Sequence, residues 1–178
     1  MPCKLDKQRI KETIAFHGHN CPGLTIGIRA AELAMERLDL HNTANSLCGT
    51  ETDMCGVDAI QFLAGCSFGK GNLVHRDYGK SAFTFFNRDT GEGFRALFRD
   101  TGKKDRVDKE TRIRMLLEAD LDELFEVRDI DAPPVRPARI LKSIPCDNCG
   151  ESTMESRIRL FDGEKLCAPC FSAVEQKI

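Results

Sequence analysis

Apolar residues recur at helical spacing near the start of the chain. Ile10 and Ile14 stand four apart among charged neighbours between Leu5 and Phe16, which predicts an amphipathic helix. The segment His17-Gly18-His19-Asn20-Cys21-Pro22-Gly23 interrupts it. Leu24, Ile28, Ala31, Met35 and Leu38 then mark the apolar face of a second helix. Pro22 suits its first turn, where a missing N–H costs nothing, so Cys21 falls at or beside the N-cap.

Residues 41–52 are polar and support only a short strand around Asn45–Cys48. Asp53 reads as the N-cap of a third helix running through Cys55, Val57, Ile60 and Leu63, with Gly65 ending it. Cys66 to Asn72 reads as a loop or irregular strand. Ser81 to Asn87 and Gly93 to Arg99 are β-rich runs separated by Arg88-Asp89-Thr90-Gly91-Glu92, a hairpin pattern. Asp108 to Ala119 fits a further helix with Ile113, Leu116 and Leu117 as its apolar side, and Leu124 to Ile130 a last core strand. Ile130 to Pro137 carries three prolines, which forbid regular ladders and favour an extended linker. The expected architecture is an α+β core over residues 1–130, with helices packed on a mixed sheet that contains an antiparallel hairpin. A Pro-rich linker over 131–142 leads to a small C-terminal unit over 143–178.

Composition narrows the function classes. Of 178 residues, 41% are hydrophobic and 30% charged, enough for both a core and a soluble surface. A net charge of -2 gives no general attraction to nucleic acid or anionic membrane. No apolar run has transmembrane length, and the segment Met1 to Lys7 lacks the apolar stretch of a secretory signal, so the expected location is cytoplasmic. With nine cysteines, an odd number, and no export signal, metal ligation or thiol chemistry is a better expectation than disulfides.

Four of those cysteines form Cys146-x-x-Cys149 and Cys167-x-x-Cys170, with seventeen residues between the pairs. Each Cys-x-x-Cys lets two sulfurs bite one ion, and four thiolates suit tetrahedral zinc. Between the pairs, Ser156 to Phe161 alternates as a strand, Asp162-Gly163 is a hairpin turn, and Lys165-Leu166 returns the chain. Cys167 to Cys170 opens a terminal helix. Knuckle, hairpin and helix make a treble-clef finger whose structural zinc replaces a core too small to fold alone. From Lys142 to Ile178 there are five basic residues against six acidic, so no footprint for nucleic acid exists. Contact with a partner protein, or the other subunit of a dimer, fits better.

His17, His19 and Cys21 are spaced by two, so in an extended segment their side chains share a face and converge on one cation or substrate. Cys21 at a helix start feels the positive helix end, which favours thiolate, and Cys55 is similarly placed on the third helix. These donors suit a soft transition metal or a reactive Cys/His pair. Taken singly, each would more often be structural, since buried cysteines are common in cores. Cys66 stands open between the two readings; Cys3 and Cys48 read as structural or incidental. Gly65 to Gly71 is no Walker loop, because only three residues separate Gly65 from Gly69 and glycine follows Lys70.

Three stretches together resemble the signature of the FmdE family of formylmethanofuran dehydrogenase components. They are Phe16-His17-Gly18-His19-Asn20-Cys21-Pro22-Gly23-Leu24, Cys55-Gly56-Val57-Asp58-Ala59-Ile60-Gln61 and Gly65-Cys66-Ser67-Phe68-Gly69-Lys70-Gly71-Asn72-Leu73; Asp77 to Phe85 is similar too. The resemblance covers about residues 5–130 and implies an α+β core that forms a homodimer. It implies a second transition metal in that core, zinc the first choice, on His17, His19, Cys21 and Cys55, with Cys66 and Asp58 nearby. Cys55, Cys21 and His19 are the implied catalytic candidates. The implied role is an accessory metalloprotein working with the subunits of a molybdenum- or tungsten-dependent enzyme, since the chain is too short for a pterin-binding catalytic subunit. Two alternatives stand: an enzyme in its own right, transferring sulfur or metal through Cys21 or Cys55 with His17 or His19 as base, and a metal or redox sensor.

Overall fold

The first helix, α1 (Lys7–His17), starts at Asp6, whose carboxylate accepts the Gln8 N–H at 3.2 Å. It stops at Gly18, which takes the left-handed conformation at φ 90° and returns its N–H to the Ile14 carbonyl. After a short loop, α2 (Pro22–Leu38) follows, with Pro22 in its first turn and Cys21 as its N-cap; the Cys21 sulfur accepts the Leu24 N–H at 3.3 Å. Strand β1 (Ser46–Thr50) leads to α3 (Gly56–Ala64), which Gly65 ends at φ 62°. The remaining core elements are β2 (Leu73–His75), β3 (Ala82–Asn87), β4 (Gly93–Phe98), α4 (Lys109–Glu118), the single turn α5 (Leu121–Leu124) and β5 (Phe125–Asp129). The structure, a computed structural model, describes residues 2–40, 45–99, 107–131, 133 and 140–174.

The five strands form one mixed sheet in the order β2-β1-β3-β4-β5. β1 and β2 run parallel and all other neighbours antiparallel. Cys48, Phe85 and Phe94 are successive cross-strand partners and join the core beneath the helices, with the Phe85 and Phe94 rings 5.5 Å apart. Leu24 and Ile28 of α2 and Ile60 and Leu63 of α3 close that core from above. The expected α+β class is the observed one. β2 was not expected, because three residues on a parallel edge carry no readable alternation.

Two details differ from expectation. Asp53 does not cap α3: the helix begins after Cys55, and Asp53 is exposed. The Thr52 hydroxyl accepts the Met54 N–H at 3.2 Å, and the Val57 N–H bonds to the Met54 carbonyl, so a tight turn uses up the residues that would have opened a longer helix. The second difference is charge inside α2. Arg29 and Glu32 are buried as an ion pair at 2.9 Å, three residues apart. Arg29 also donates to the carbonyls of Leu117 and Ala119 at the end of α4, while Glu32 accepts the Lys4 N–H. These further hydrogen bonds offset part of the cost of burying two charges, and they fasten α4 and the N-terminal segment to α2.

α2 and α3 cross at glycine. A Cβ placed on Gly27 would lie 2.2 Å from the Gly56 carbonyl oxygen, and one on Gly56 would lie 3.1 Å from the Gly23 carbonyl oxygen and from the tip of the Phe83 ring. Only residues without side chains allow two backbones this near.

The chain divides into two units, Met1–Pro137 and Ala138–Ile178. Residues 132 and 134–139 of the expected linker lie outside the described residues. The second unit is β6 (Ser143–Pro145) paired with β7 (Ser152–Met154), then β8 (Arg159–Phe161) paired with β9 (Glu164–Leu166), then α6 (Ala168–Ala173). Asp162 and Gly163 both take positive φ, 49° and 82°, as a two-residue hairpin turn requires. A 3-10 turn over Glu155–Arg157 replaces the first half of the strand expected from Ser156. Its buried centre is Cys146, Leu166 and Cys167, too small to hold a fold without a cross-link. No helix of the described residues is long and apolar enough to cross a membrane.

Two outcomes follow for the core. Gly27→Ala forces α2 from α3 and should cost about 1–3 kcal/mol in denaturant unfolding; an unchanged midpoint would contradict the close crossing. Across β3, Arg95 grips Glu51 with two bonds of 2.6 and 2.8 Å, and that grip holds the Glu51 carboxyl below its ordinary range. A depressed carboxylate adds stability above its unfolded pKa, about 4.3, and the gain disappears as pH falls through the folded value. Thermal melts between roughly pH 5 and 3 should therefore fall more steeply for the wild type than for Glu51→Gln.

Candidate metal centre

His17 is the last residue of α1, and the left-handed Gly18 turns the chain so that His19 and Cys21 come back beside it. This is how the alternating trio converges: a helix end and a glycine reversal, rather than the extended segment expected. Phe16 and Phe62, with ring centroids 5.5 Å apart, hold α1 against α3. That contact sets His17 over Asp58, in the first turn of α3.

The glycine crossing supplies the fourth group. Cys21 and Cys55 are the N-caps of α2 and α3, and the close approach brings those two helix starts together; a Cβ on Gly23 would meet the Cys55 Cβ at 3.3 Å. As a result His17, His19, Cys21 and Cys55 each offer a ligand atom, and the four atoms lie within 4.8 Å of one another. All four candidates named from the sequence therefore meet, although more than thirty residues of chain divide Cys55 from the rest.

Orientation within the cluster is specific. His17 Nδ1 bonds to Asp58 Oδ2 at 2.7 Å, and Nε2, on the far side of the ring, faces Cys21 Sγ at 3.8 Å. Asp58 is steadied in turn by Gln61 Nε2 at 3.3 Å. A tetrahedral cation with a sulfur ligand at about 2.3 Å and a nitrogen ligand at about 2.05 Å separates the two donors by about 3.6 Å. The observed spacing lies within a few tenths of an ångström of that. A carboxylate behind a ligating histidine is the usual device for fixing ring and tautomer, so the donors present fit a transition metal. Asp58 bonds the His17 ring and is not one of the four clustered donors.

The thiolate expectation for Cys55 is not met in the protein without a cation. Burial, and then the neighbouring Cys21 thiol, push the Cys55 thiol up, with Asp58 adding to the effect. Two thiols this close do not both ionise unless a positive ion joins them, and a bound metal reverses the balance outright.

Cys66 lies elsewhere. It is fully buried, its thiol donating to the Ser46 and Ala64 carbonyls at 3.6 Å each, and Cys48 is buried near it on β1. Sequence reasoning missed Gln61 and the pairing of Gly27 with Gly56. The spacing Asp58-x-x-Gln61 on one helix face was the available signal for the first.

In the second unit, Cys146, Cys149, Cys167 and Cys170 also place their ligand atoms within 4.8 Å of one another. Cys149 Sγ and Cys167 Sγ are 3.8 Å apart, matching the edge of about 3.8 Å expected for a tetrahedron with zinc–sulfur bonds of about 2.3 Å. The Cys149 N–H, then the Cys167 N–H, pull Cys146 down to about 6. The Glu151 N–H pulls on Cys149 likewise, yet desolvation and bonding to Cys146, Cys170 and Cys167 push it up to about 12. The Cys146 thiolate forms readily while Cys149 and Cys167 are pushed up, the behaviour of a site assembled around its metal.

Asp58→Asn should preserve the fold and weaken core metal affinity by roughly 10–100-fold in chelator competition, as removal of such a partner does elsewhere. Equal affinity would mean that the carboxylate does not position His17.

Comparison with known proteins bears on both units. Residues 139–176 match the prokaryotic dksA/traR C4-type zinc finger. A curated protein of Archaeoglobus fulgidus, a probable S-adenosyl-L-methionine-binding protein, is 28% identical over 189 aligned positions. That alignment takes in 87% of this chain, which spans about half, 50%, of the relative. The crystal structure of a tungsten formylmethanofuran dehydrogenase FmdE-like protein from Syntrophus aciditrophicus superposes with a TM-score of 0.72 at 24% identity. The match covers 99% of this chain and 100% of that one, which shows a shared fold. Residues 16–126, which contain His17, His19, Cys21, Cys55 and Asp58, match the family model described as FmdE, molybdenum formylmethanofuran dehydrogenase operon, and the chain belongs to that FmdE family.

Proposed function

We propose that the core of this protein holds a transition metal, zinc the first choice, on His17, His19, Cys21 and Cys55, and that the tail holds a structural zinc. The observation that carries the core reading is the His17 ring, tied to Asp58 at Nδ1 and turned with Nε2 toward Cys21. A core histidine that was merely satisfied would need no two thiols and second imidazole gathered within 4.8 Å of it.

In this reading the protein is an accessory metalloprotein, a homodimer that serves a molybdenum- or tungsten-dependent formyl-group enzyme. Family membership and the likeness to the Syntrophus protein support that role. A second reading is small-molecule chemistry at the metal by this chain itself. It is favoured by the exposure of His19 at the cluster, and the likeness to the Archaeoglobus protein makes S-adenosyl-L-methionine the first compound to titrate. Co-purification with a large pterin subunit and no turnover alone would support the accessory role. Turnover by the isolated chain, lost in Cys55→Ser with the fold intact, would support the second.

Metal analysis tests the site itself. Wild type should carry two metal ions per chain, and the Cys21→Ser/Cys55→Ser variant only the tail zinc. Equal metal content in both would remove the core site.

A further inference from the structure

The four core donors are not held equally, and the difference has a chemical meaning. The His17 side chain is 10% exposed and anchored by Asp58. Cys21 is buried and its sulfur is fixed by the Leu24 N–H. Cys55 is wedged at the start of α3 against Gly23. His19 is exposed and lies in the loop just after the left-handed Gly18. Its ring lies beside the His17 ring, 4.4 Å between centroids, and among the described residues no hydrogen bond holds it.

We infer that His19 is the exchangeable ligand of the core metal, and that an organic thiol with an apolar body enters at the position it vacates. The inference rests on the metal reading above and adds which bond opens and for what. A ligating histidine draws basicity and orientation from a partner on its other nitrogen; His17 has one and His19 does not. Loss of His19 leaves two cysteines and one histidine on the cation with an open position, the donor pattern of catalytic rather than structural zinc. The incoming thiol binds as thiolate through a new metal–sulfur bond. The metal–His19 bond breaks, and the thiol proton goes to the released imidazole. Sulfur matches the softness that two thiolates already give the ion. Phe16 and Met54, 55% and 66% exposed, are the apolar residues that adjoin His17 and Cys55 in sequence.

The experiment uses full-length protein titrated anaerobically with Co²⁺, subtracting the spectrum of Cys21→Ser/Cys55→Ser to remove the finger. His19→Ala should keep core cobalt within roughly tenfold of wild-type affinity, whereas His17→Ala should lose roughly a hundredfold or more. Benzyl mercaptan should add thiolate-to-cobalt charge-transfer intensity in wild type, and at lower concentration in His19→Ala, where no imidazole competes. Loss of core cobalt in His19→Ala as complete as in His17→Ala would overturn the inference, as would a core spectrum that benzyl mercaptan leaves unchanged in both proteins. A wild-type difference spectrum with no cobalt bands would instead overturn the metal reading, so the two failures are separable.

Discussion

The contact between Gly27 and Gly56 sets the arrangement of the N-terminal unit. With no side chain between them, α2 and α3 approach until backbone touches backbone, and the starts of both helices arrive at one place. Each start carries a cysteine as its N-cap. Two partly positive helix ends are a sensible setting for thiolates, but burial and the neighbouring Cys21 thiol push the Cys55 thiol up. The fold thus prepares a place for positive charge by packing, before any ligand arrives.

Histidine completes the site through a different device. α1 ends on His17, and its ring gains a fixed direction because Phe16 packs on Phe62 and brings Asp58 underneath. The same helix, α3, therefore supplies both a sulfur ligand at its N-cap and the carboxylate that aims the opposing imidazole. A shift of α3 would disturb both together. His19 escapes this control because it lies in the loop beyond Gly18, so one site contains firmly held donors and a loosely held one.

The tail solves a smaller problem. Its buried centre is a handful of side chains, and its two hairpins and one short helix have little else to pack on. Four cysteines with backbone N–H groups aimed at Cys146 replace a hydrophobic core with metal bonds. The two sites differ accordingly. The tail has almost no apolar interior of its own, while a complete apolar interior stands behind the core cluster.

Local pattern determined much of this. Apolar spacing marked α2 with Cys21 at its cap, the β3–β4 hairpin followed from its β-rich runs, and paired Cys-x-x-Cys with Asp162-Gly163 specified the finger, because each is a short-range rule of backbone geometry. The donor residues were legible as types and spacings. Their meeting was not, since Gly27 and Gly56 are conspicuous only when two helices are laid across each other. The same holds for the true start of α3, for the Arg29–Glu32 pair inside α2 and for the role of Asp58 as an orienter. Each depends on groups far apart in sequence, whose distance and burial are fixed only when the helices pack on the sheet.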